Sequence, residues 1–427
     1  MKKAINIFML ALTYIMSYAQ CIDPALEKEM GQRKDDEKID VFVIMRQQYD
    51  REQLCRRADY YLTRAERREF VVNELKQFAE ASQYDIRQSL AEMEKNDMVS
   101  SPNMLWMANA LYFSATKQAI YDLARRNDVE VIGFDQEVEI PKDENPDSAK
   151  GSRDIAPNVT QVHADQVWDL GYTGQGVVVA VIDSGVNYDH RDLKNHLWDG
   201  GSEFPNHGWD FGDNDNNPMD LRGHGTHCAG TVCGDGGGGR QTGMAPDVTL
   251  MCVKISTGSS GGSTTTAMCN GIQWAVAHGC DIFSLSFGGH SDAANKTLLR
   301  NTCDAVLDAG VIGSIAAGNS GNQLDVFPVP NNVIFPGGCP PPYLDPIQQA
   351  NPGGLSCVVC VGNVDYDNVA AAGSSQGPVT WSNTSYADYP YTSVSSTQFG
   401  LIRPDVCAPG DPRSRASGCR VRYHHHE

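Results

Sequence analysis

The sequence predicts an α/β protein: a three-layer domain on a mostly parallel sheet, preceded by a small α+β unit. Three observations carry this expectation. From Val159 onward, short runs rich in valine and isoleucine alternate with helical patterns, which is how a parallel sheet covered on both faces is written. Residues 20–140 are instead charged and poor in glycine, with mixed strand and helix periods. The chain of 427 residues also exceeds one average domain and has room for a second, smaller one.

Taken in order, residues 1–19 read as a bacterial secretion signal. Lys2 and Lys3 precede a short apolar core through Ile5, Phe8, Met9, Leu10 and Leu12, and Ser17-Tyr-Ala19 supplies small residues for a signal peptidase. Cys21 invites a lipoprotein reading, which the bulky Gln20 before it argues against. In residues 20–140, Val41–Met45 is a strand candidate, and Thr63-Arg-Ala-Glu66 has the form of a capping box. One long helix should begin there, its apolar face formed by Val71, Leu75, Phe78, Ile86, Leu90 and Met93. A strand over Met104–Tyr112, a helix over Thr116–Arg126 and a strand over Val129–Phe134 follow. The order β-α-β-α-β predicts a ferredoxin-like split βαβ unit.

Residues 141–157 lack a hydrophobic period and read as an exposed, cleavable linker. In the domain spanning 158–412, strands are expected at Val177–Ile182, Val248–Val253, Asp281–Ser286, Val311–Ala316 and Val358–Val361, with helices at Ala267–His278 and Asp292–Ala309. The catalytic side chains of such a sheet lie beyond its carboxyl edge. Residues 413–427 form a tail of different composition, with arginines and histidines on an otherwise acidic chain.

The balance of 34 basic against 53 acidic residues gives a net charge of −19, which repels phosphate backbones and anionic lipids. Nucleic acid is thereby argued against. No later stretch supplies the roughly 20 apolar residues that a membrane span needs. The expected partners are proteins or peptides, met by a monomer secreted or held in the cell envelope. Thirteen cysteines in an exported chain suggest some disulfides, whose connectivity the sequence does not fix. Cys357-Val-Val-Cys360, set among valines, reads as buried strand thiols or one disulfide partner rather than a metal pair.

The chemistry concentrates in two motifs. Val177-Val-Val-Ala-Val-Ile-Asp183 is an apolar run that ends on a carboxylate, and Arg222-Gly-His-Gly-Thr-His-Cys-Ala-Gly230 offers imidazoles in a glycine-rich setting. Alone, the first could be a plain strand end and the second a metal site or a loop. Together, an aspartate followed by a histidine about forty residues on has the chain order of the Asp, His, Ser triad of subtilisin. With Ala316-Ala-Gly-Asn319 and Pro404-Asp-Val-Cys-Ala-Pro-Gly410 following in order, the chain resembles the subtilisin-like serine proteases from about Val159 to Gly410.

That resemblance implies a subtilisin-like fold and endopeptidase activity, with Asp183 orienting the base, His224 as general base and Asn319 donating to the oxyanion. It implies that Ser286, Phe287 and Gly288, with Ala316, Ala317 and Gly318, form two walls of the primary specificity pocket. Gly261 and Gly262 through Thr264 would be the strand on which extended substrates pair. Cys228 resembles the thiol beneath the histidine in the proteinase K branch. The amino-terminal unit would be a propeptide that serves as folding template and intramolecular inhibitor. No cofactor is required. A structural calcium ion is the candidate ligand, since Asp192 matches a calcium position of the family and Asp213, Asp215 and Asn217 cluster oxygens of the kind it prefers. Such an acidic run also reads as a solvated loop.

The family's Gly-Thr-Ser-x-Ala motif, which carries the nucleophile, is not found. The residues after Gly410 hold Ser414 and Ser417, neither followed by an apolar helix. The expectation is a chain truncated or frame-shifted before its serine, inactive as written, with a non-catalytic peptide-binding protein as the alternative.

Overall fold

A computed structural model describes residues 21–139, 154–257, 262–342, 355–381 and 400–411. The expected signal segment, most of the linker, Gly261 and the tail lie outside them. The described residues build two main sheets, one of four strands and one of seven.

The amino-terminal unit runs α1 (Pro24–Gln32), β1 (Ile39–Met45), α2 (Arg51–Ala58), α3 (Arg64–Ser82), α4 (Tyr84–Lys95), β2 (Val99–Leu105), β3 (Ala110–Ala115), α5 (Lys117–Ala124) and β4 (Val129–Phe134). Its sheet has the order β2-β3-β1-β4 with every neighbouring pair antiparallel. This is the ferredoxin-like β-α-β-β-α-β arrangement, with one strand more than the sequence suggested. The expected single strand over Met104–Tyr112 is a hairpin, whose turn Trp106–Asn109 is apolar except for Asn109 at φ 40°. Its first three residues carry no polar signal because the turn is itself an interface: Trp106, Met107 and Ala108 are buried in the cluster that includes the helices of the larger domain.

The capping box is present, with Glu66 N donating to Thr63 Oγ1 at 3.2 Å and Thr63 N to Glu66 Oε2 at 3.1 Å. The single long helix expected from it is broken at Gln83, whose side chain is buried and donates to Asn109 Oδ1 at 2.8 Å. Apolar spacing alone could not register that break, because both halves keep a buried stripe. On β1 the sides also diverge: Val41, Val43 and Met45 enter the unit's own core, whereas Phe42 and Ile44 join the shared core.

The larger domain contains α6 (Pro157–Gln161), α7 (Ala164–Asp169), β6 (Val178–Asp183), β7 (Gly208–Asp210), α8 (His224–Cys233), β8 (Thr249–Lys254), β9 (Gly262–Thr264), α9 (Thr265–Ala277), β10 (Ile282–Leu285), α10 (Ala293–Asp308), β11 (Ile312–Ala316), β12 (Val358–Asp365) and β13 (Val406–Asp411). Its sheet has the order β13-β12-β11-β10-β6-β8-β7, all parallel. The five expected strands are all there. The sequence missed β7, which is too short to show a period, and β13, whose Pro409 is tolerated because it lies at the sheet edge. Strands β7 and β8 lie on one side of β6 and β10 to β13 on the other, so β6 is where the winding reverses and its carboxyl end opens a crevice.

A short strand, β5 (Glu137–Glu139), joins the two units by pairing antiparallel with β9, Glu137 opposite Thr264 and Glu139 opposite Gly262. Just before it, Asp135 accepts from Thr266 N at 3.0 Å and Thr266 Oγ1 at 2.6 Å, at the start of α9. At the far end, Arg51 reaches Asp304 and Asp308 at 2.7 Å each, and Arg68 donates to Cys280 O at 2.8 Å. The twelve described cysteines are free thiols rather than the disulfides expected of an exported chain, and Cys357 and Cys360 are buried around β12. No helix among the described residues is long and apolar enough to cross a membrane.

Candidate active site

Strand β6 is buried almost throughout because it is central in a sheet covered on both faces, and it delivers Asp183 to the crevice. The histidine comes from α8, a helix that its glycines concealed in the sequence. Gly223 takes the N-cap with φ 91°, a left-handed conformation that glycine adopts without strain. His224 is the first helical residue, and its Nδ1 lies 2.6 Å from Asp183 Oδ1. Gly225 is required by the same closeness, since a Cβ there would stand 2.0 Å from Gly185 O.

Two residues that sequence reasoning missed fix this pair. Asp220 accepts Thr226 N at 2.9 Å, Thr226 Oγ1 at 2.6 Å, Gly223 N at 3.0 Å and Ser184 Oγ at 3.0 Å. Ser184 Oγ in turn accepts Gly225 N at 2.9 Å. A carboxylate just ahead of a helix start is a capping signal that could have been read.

Cys228 lies one turn along α8, with Sγ 3.9 Å from His224 Nδ1 and within 3.5 Å of Ser286 Oγ. Burial raises the Cys228 thiol above its ordinary range, so it is neutral at pH 7. For His224, burial disfavours the charged ring, while negative charge at Cys228 and Asp183 favours it, and the balance is upward. With the thiol neutral, Asp183 is the one of the two that carries charge favouring the imidazolium at neutral pH.

The other expected residues fall where the two strands end side by side. Leu285 of β10 is in register with Ile315 of β11, so Ser286, Phe287 and Gly288 run beside Ala316, Ala317 and Gly318. Phe287 is buried with its ring edge-on to His224, centroids 6.3 Å apart. Asn319 is exposed at the loop tip. The loop is tied down beside it by Asn332 Nδ2 donating to Ser320 O at 2.6 Å and Ser320 N donating to Ser375 Oγ at 3.0 Å. Gly262 sits in β9, and Gly261 is outside the described residues.

The expected calcium ligands do not converge. Among the described residues, the one group of three His, Cys, Asp or Glu donor atoms within 4.8 Å is Asp183, His224 and Cys228. Asp192 is buried and accepts the amide of Gly238. Asp213 faces the buried ammonium of Lys254 at 3.4 Å, and that lysine also holds Asp210 at 2.6 Å. Asp215 Oδ1 accepts Asn217 N at 2.8 Å, and Asn217 Oδ1 accepts Tyr188 OH at 2.7 Å. Lys254 already answers the charge of Asp213 from within, and Asp192 is not brought together with Asp213 and Asp215, so these residues do not fit a shared cation.

The parallel sheet thus joins an aspartate and a histidine at its switch point. The family model of the subtilases matches residues 174–426, and the chain belongs to the subtilase family. It is 34% identical over 243 residues to subtilisin DY of Bacillus licheniformis, covering 55% of this chain and 76% of that protein. It is 40% identical over 172 residues to the minor extracellular protease Vpr of Bacillus subtilis, covering 38% of this chain and 20% of that protein. Thermitase of Thermoactinomyces vulgaris is 34% identical over 178 residues, 42% of this chain and 58% of that protein. For Vpr and thermitase, the chain thus spans less than two thirds of the relative's length.

Proposed function

We propose that this chain carries the acid and base of an exported serine endopeptidase that cleaves extended segments of protein substrates. The observation that supports this most is the 2.6 Å contact between Asp183 and His224, in a domain whose strand β9 already holds an extended segment. In this reading Asp183 keeps the Nδ1 proton on the imidazole, leaving Nε2 to take the proton of an attacking serine hydroxyl. His224 then returns that proton to the leaving amine, and Asn319 donates to the oxyanion between the two steps.

The sequence contains no Gly-Thr-Ser-x-Ala, and neither Ser414 nor Ser417 has that setting. The 427 residues are therefore proposed to leave peptide bonds intact by themselves. The amino-terminal unit is proposed to act as an intramolecular inhibitor, because β5 lies along β9 in the way an extended substrate would.

A second reading, a peptide-binding protein without catalysis, is favoured by the same β5–β9 pairing taken without the chemistry. Labelling with a fluorophosphonate probe separates the two. The 427-residue protein should remain unlabelled, and protein expressed from DNA read past codon 410 in each frame should label at one serine. Absence of any labelled product in every frame would leave the peptide-binding reading standing.

A further inference from the structure

Three thiols from separate elements meet at α10. Cys303 lies within that helix, Cys339 in the segment leading from β11 to β12, and Cys357 just ahead of β12; all three are buried in one core cluster. The Cys303 thiol is in hydrogen-bond contact with the thiols of both Cys339 and Cys357. Cys357 Sγ also donates to Cys303 O at 3.0 Å, so its hydrogen is directed at the helix backbone. Cys339 meets Cys303 thiol to thiol.

The backbones that carry these two thiols are fixed. Cys303 belongs to a regular helix, and Cys339 N donates to Pro336 O at 2.9 Å while Cys339 O accepts from the buried Arg403 at 2.7 Å. A single buried cysteine acts as a small apolar side chain; two thiols in contact on fixed backbones are placed for a cross-link. The trio does not form a metal centre, because among the described residues the one set of three such donors within 4.8 Å of one another is Asp183, His224 and Cys228. In the folded chain neither thiol is a nucleophile. For Cys303, the Cys339 contact lowers the value while the Cys357 contact and burial raise it, and the balance lies well above the ordinary thiol range. Burial first and the Cys303 contact second raise Cys339 in the same way. Oxidation therefore belongs to the folding chain, before α10 closes over the pair.

We propose that Cys303 and Cys339 form a disulfide during folding, oxidised by an organic disulfide, and that this bond staples α10 to the segment leading from β11 to β12. The step is thiol–disulfide exchange. The thiolate of one cysteine attacks a sulfur of the oxidant and expels a first thiol; the thiolate of the other attacks the mixed disulfide and expels a second. Two electrons and two protons pass from the protein to the oxidant, a reagent that oxidising compartments outside the cytosol supply. The cross-link fixes the helix that presents Asp304 and Asp308, the carboxylates that hold Arg51 of the amino-terminal unit. It rests on neither proteolysis nor peptide binding.

The test uses the full chain, unfolded in urea with a reductant and refolded in a mixture of reduced and oxidised glutathione. Remaining thiols are alkylated under denaturing conditions, the protein is digested without reduction, and the peptides are identified by mass spectrometry. The peptides of Cys303 and Cys339 should be joined, and the joined species should be lost when dithiothreitol is added before alkylation. The same bond should form in Cys357→Ala, whereas Cys303→Ala should return Cys339 alkylated. Amide exchange along α10 should be at least about tenfold slower in the oxidised than in the reduced protein. Recovery of both cysteines alkylated in the wild type, or Cys303 joined to Cys357, would overturn the proposal, and equal exchange rates would contradict the stapling of α10. Protein recovered from a bacterial periplasm without refolding should give the same pair, so a chain that fails to refold from urea still decides the matter.

Discussion

Replacing Arg51 by alanine should loosen the amino-terminal unit from the larger domain. The guanidinium holds Asp304 Oδ2 and Asp308 Oδ1 at 2.7 Å each and donates to Asp304 O at 2.6 Å. Asp308 is almost fully buried, and burial pushes its carboxyl upward, with Arg51 opposing that push. Truncation leaves two carboxylates at the end of α10 without their shared partner. Breaking a buried pair from one side costs about 3–5 kcal/mol, which at 1.4 kcal/mol per factor of ten is on the order of 10²-fold to several thousandfold in the docking equilibrium. The assay is amide hydrogen exchange on the full chain, read at β5 and β9, whose mutual bonds exist only in the docked state. Exchange there should speed up by that factor in Arg51→Ala. Arg51→Lys should recover only part of it, because an ammonium cannot serve both carboxylates in the fork geometry. Acceleration of less than about tenfold would refute the assignment of Arg51 as a principal tie.

Two further outcomes are expected. Burial pushes Asp135 up to about 6, with its Thr266 bonds opposing; a folded value above the unfolded one means its contribution is fully present below the ordinary aspartate range and is lost as pH rises through about 6. Exchange protection of β5 should therefore fall between about pH 4 and 6, and Asp135→Asn should flatten that dependence. Gly225→Ala should displace α8 from β6, since its methyl would overlap Gly185 O. A crystal structure of that variant should show the His224 to Asp183 contact broken, and an unchanged contact would contradict the packing argument.

Much of the larger domain was legible because buried parallel strands declare themselves as unbroken apolar runs, and Asp183 stands where one such run stops. His224 was legible from its motif, but not as a helical residue, since Gly225 and Gly230 suppress the helical signal and packing on β6 supplies what propensity lacks. In the amino-terminal unit, the hairpin turn at Trp106–Asn109 was obscured because Trp106, Met107 and Ala108 are buried against another domain and so are apolar, leaving Asn109 as its one turn signal. The arginine ties of α2 and α3 were illegible for a related reason: Arg51 and Asp308 are far apart in sequence and meet only through the fold. Asp213 misled because a run of oxygen ligands in sequence does not reveal that Lys254, from a different strand, already lies against it.

The account stands most directly on the electrostatic coupling of Asp183 to His224, which is measurable by NMR titration of the His224 ring in the full chain. A folded value above the ordinary histidine range means that this pair's stabilisation is complete below about pH 6.5 and is lost only as pH rises through the folded value. The wild-type ring should titrate above that range, and in Asp183→Asn it should fall below it, because burial then acts without the carboxylate to oppose it. A wild-type ring titrating at or below the ordinary value, or one indifferent to Asp183→Asn, would contradict the claim that these two residues form a working acid–base pair.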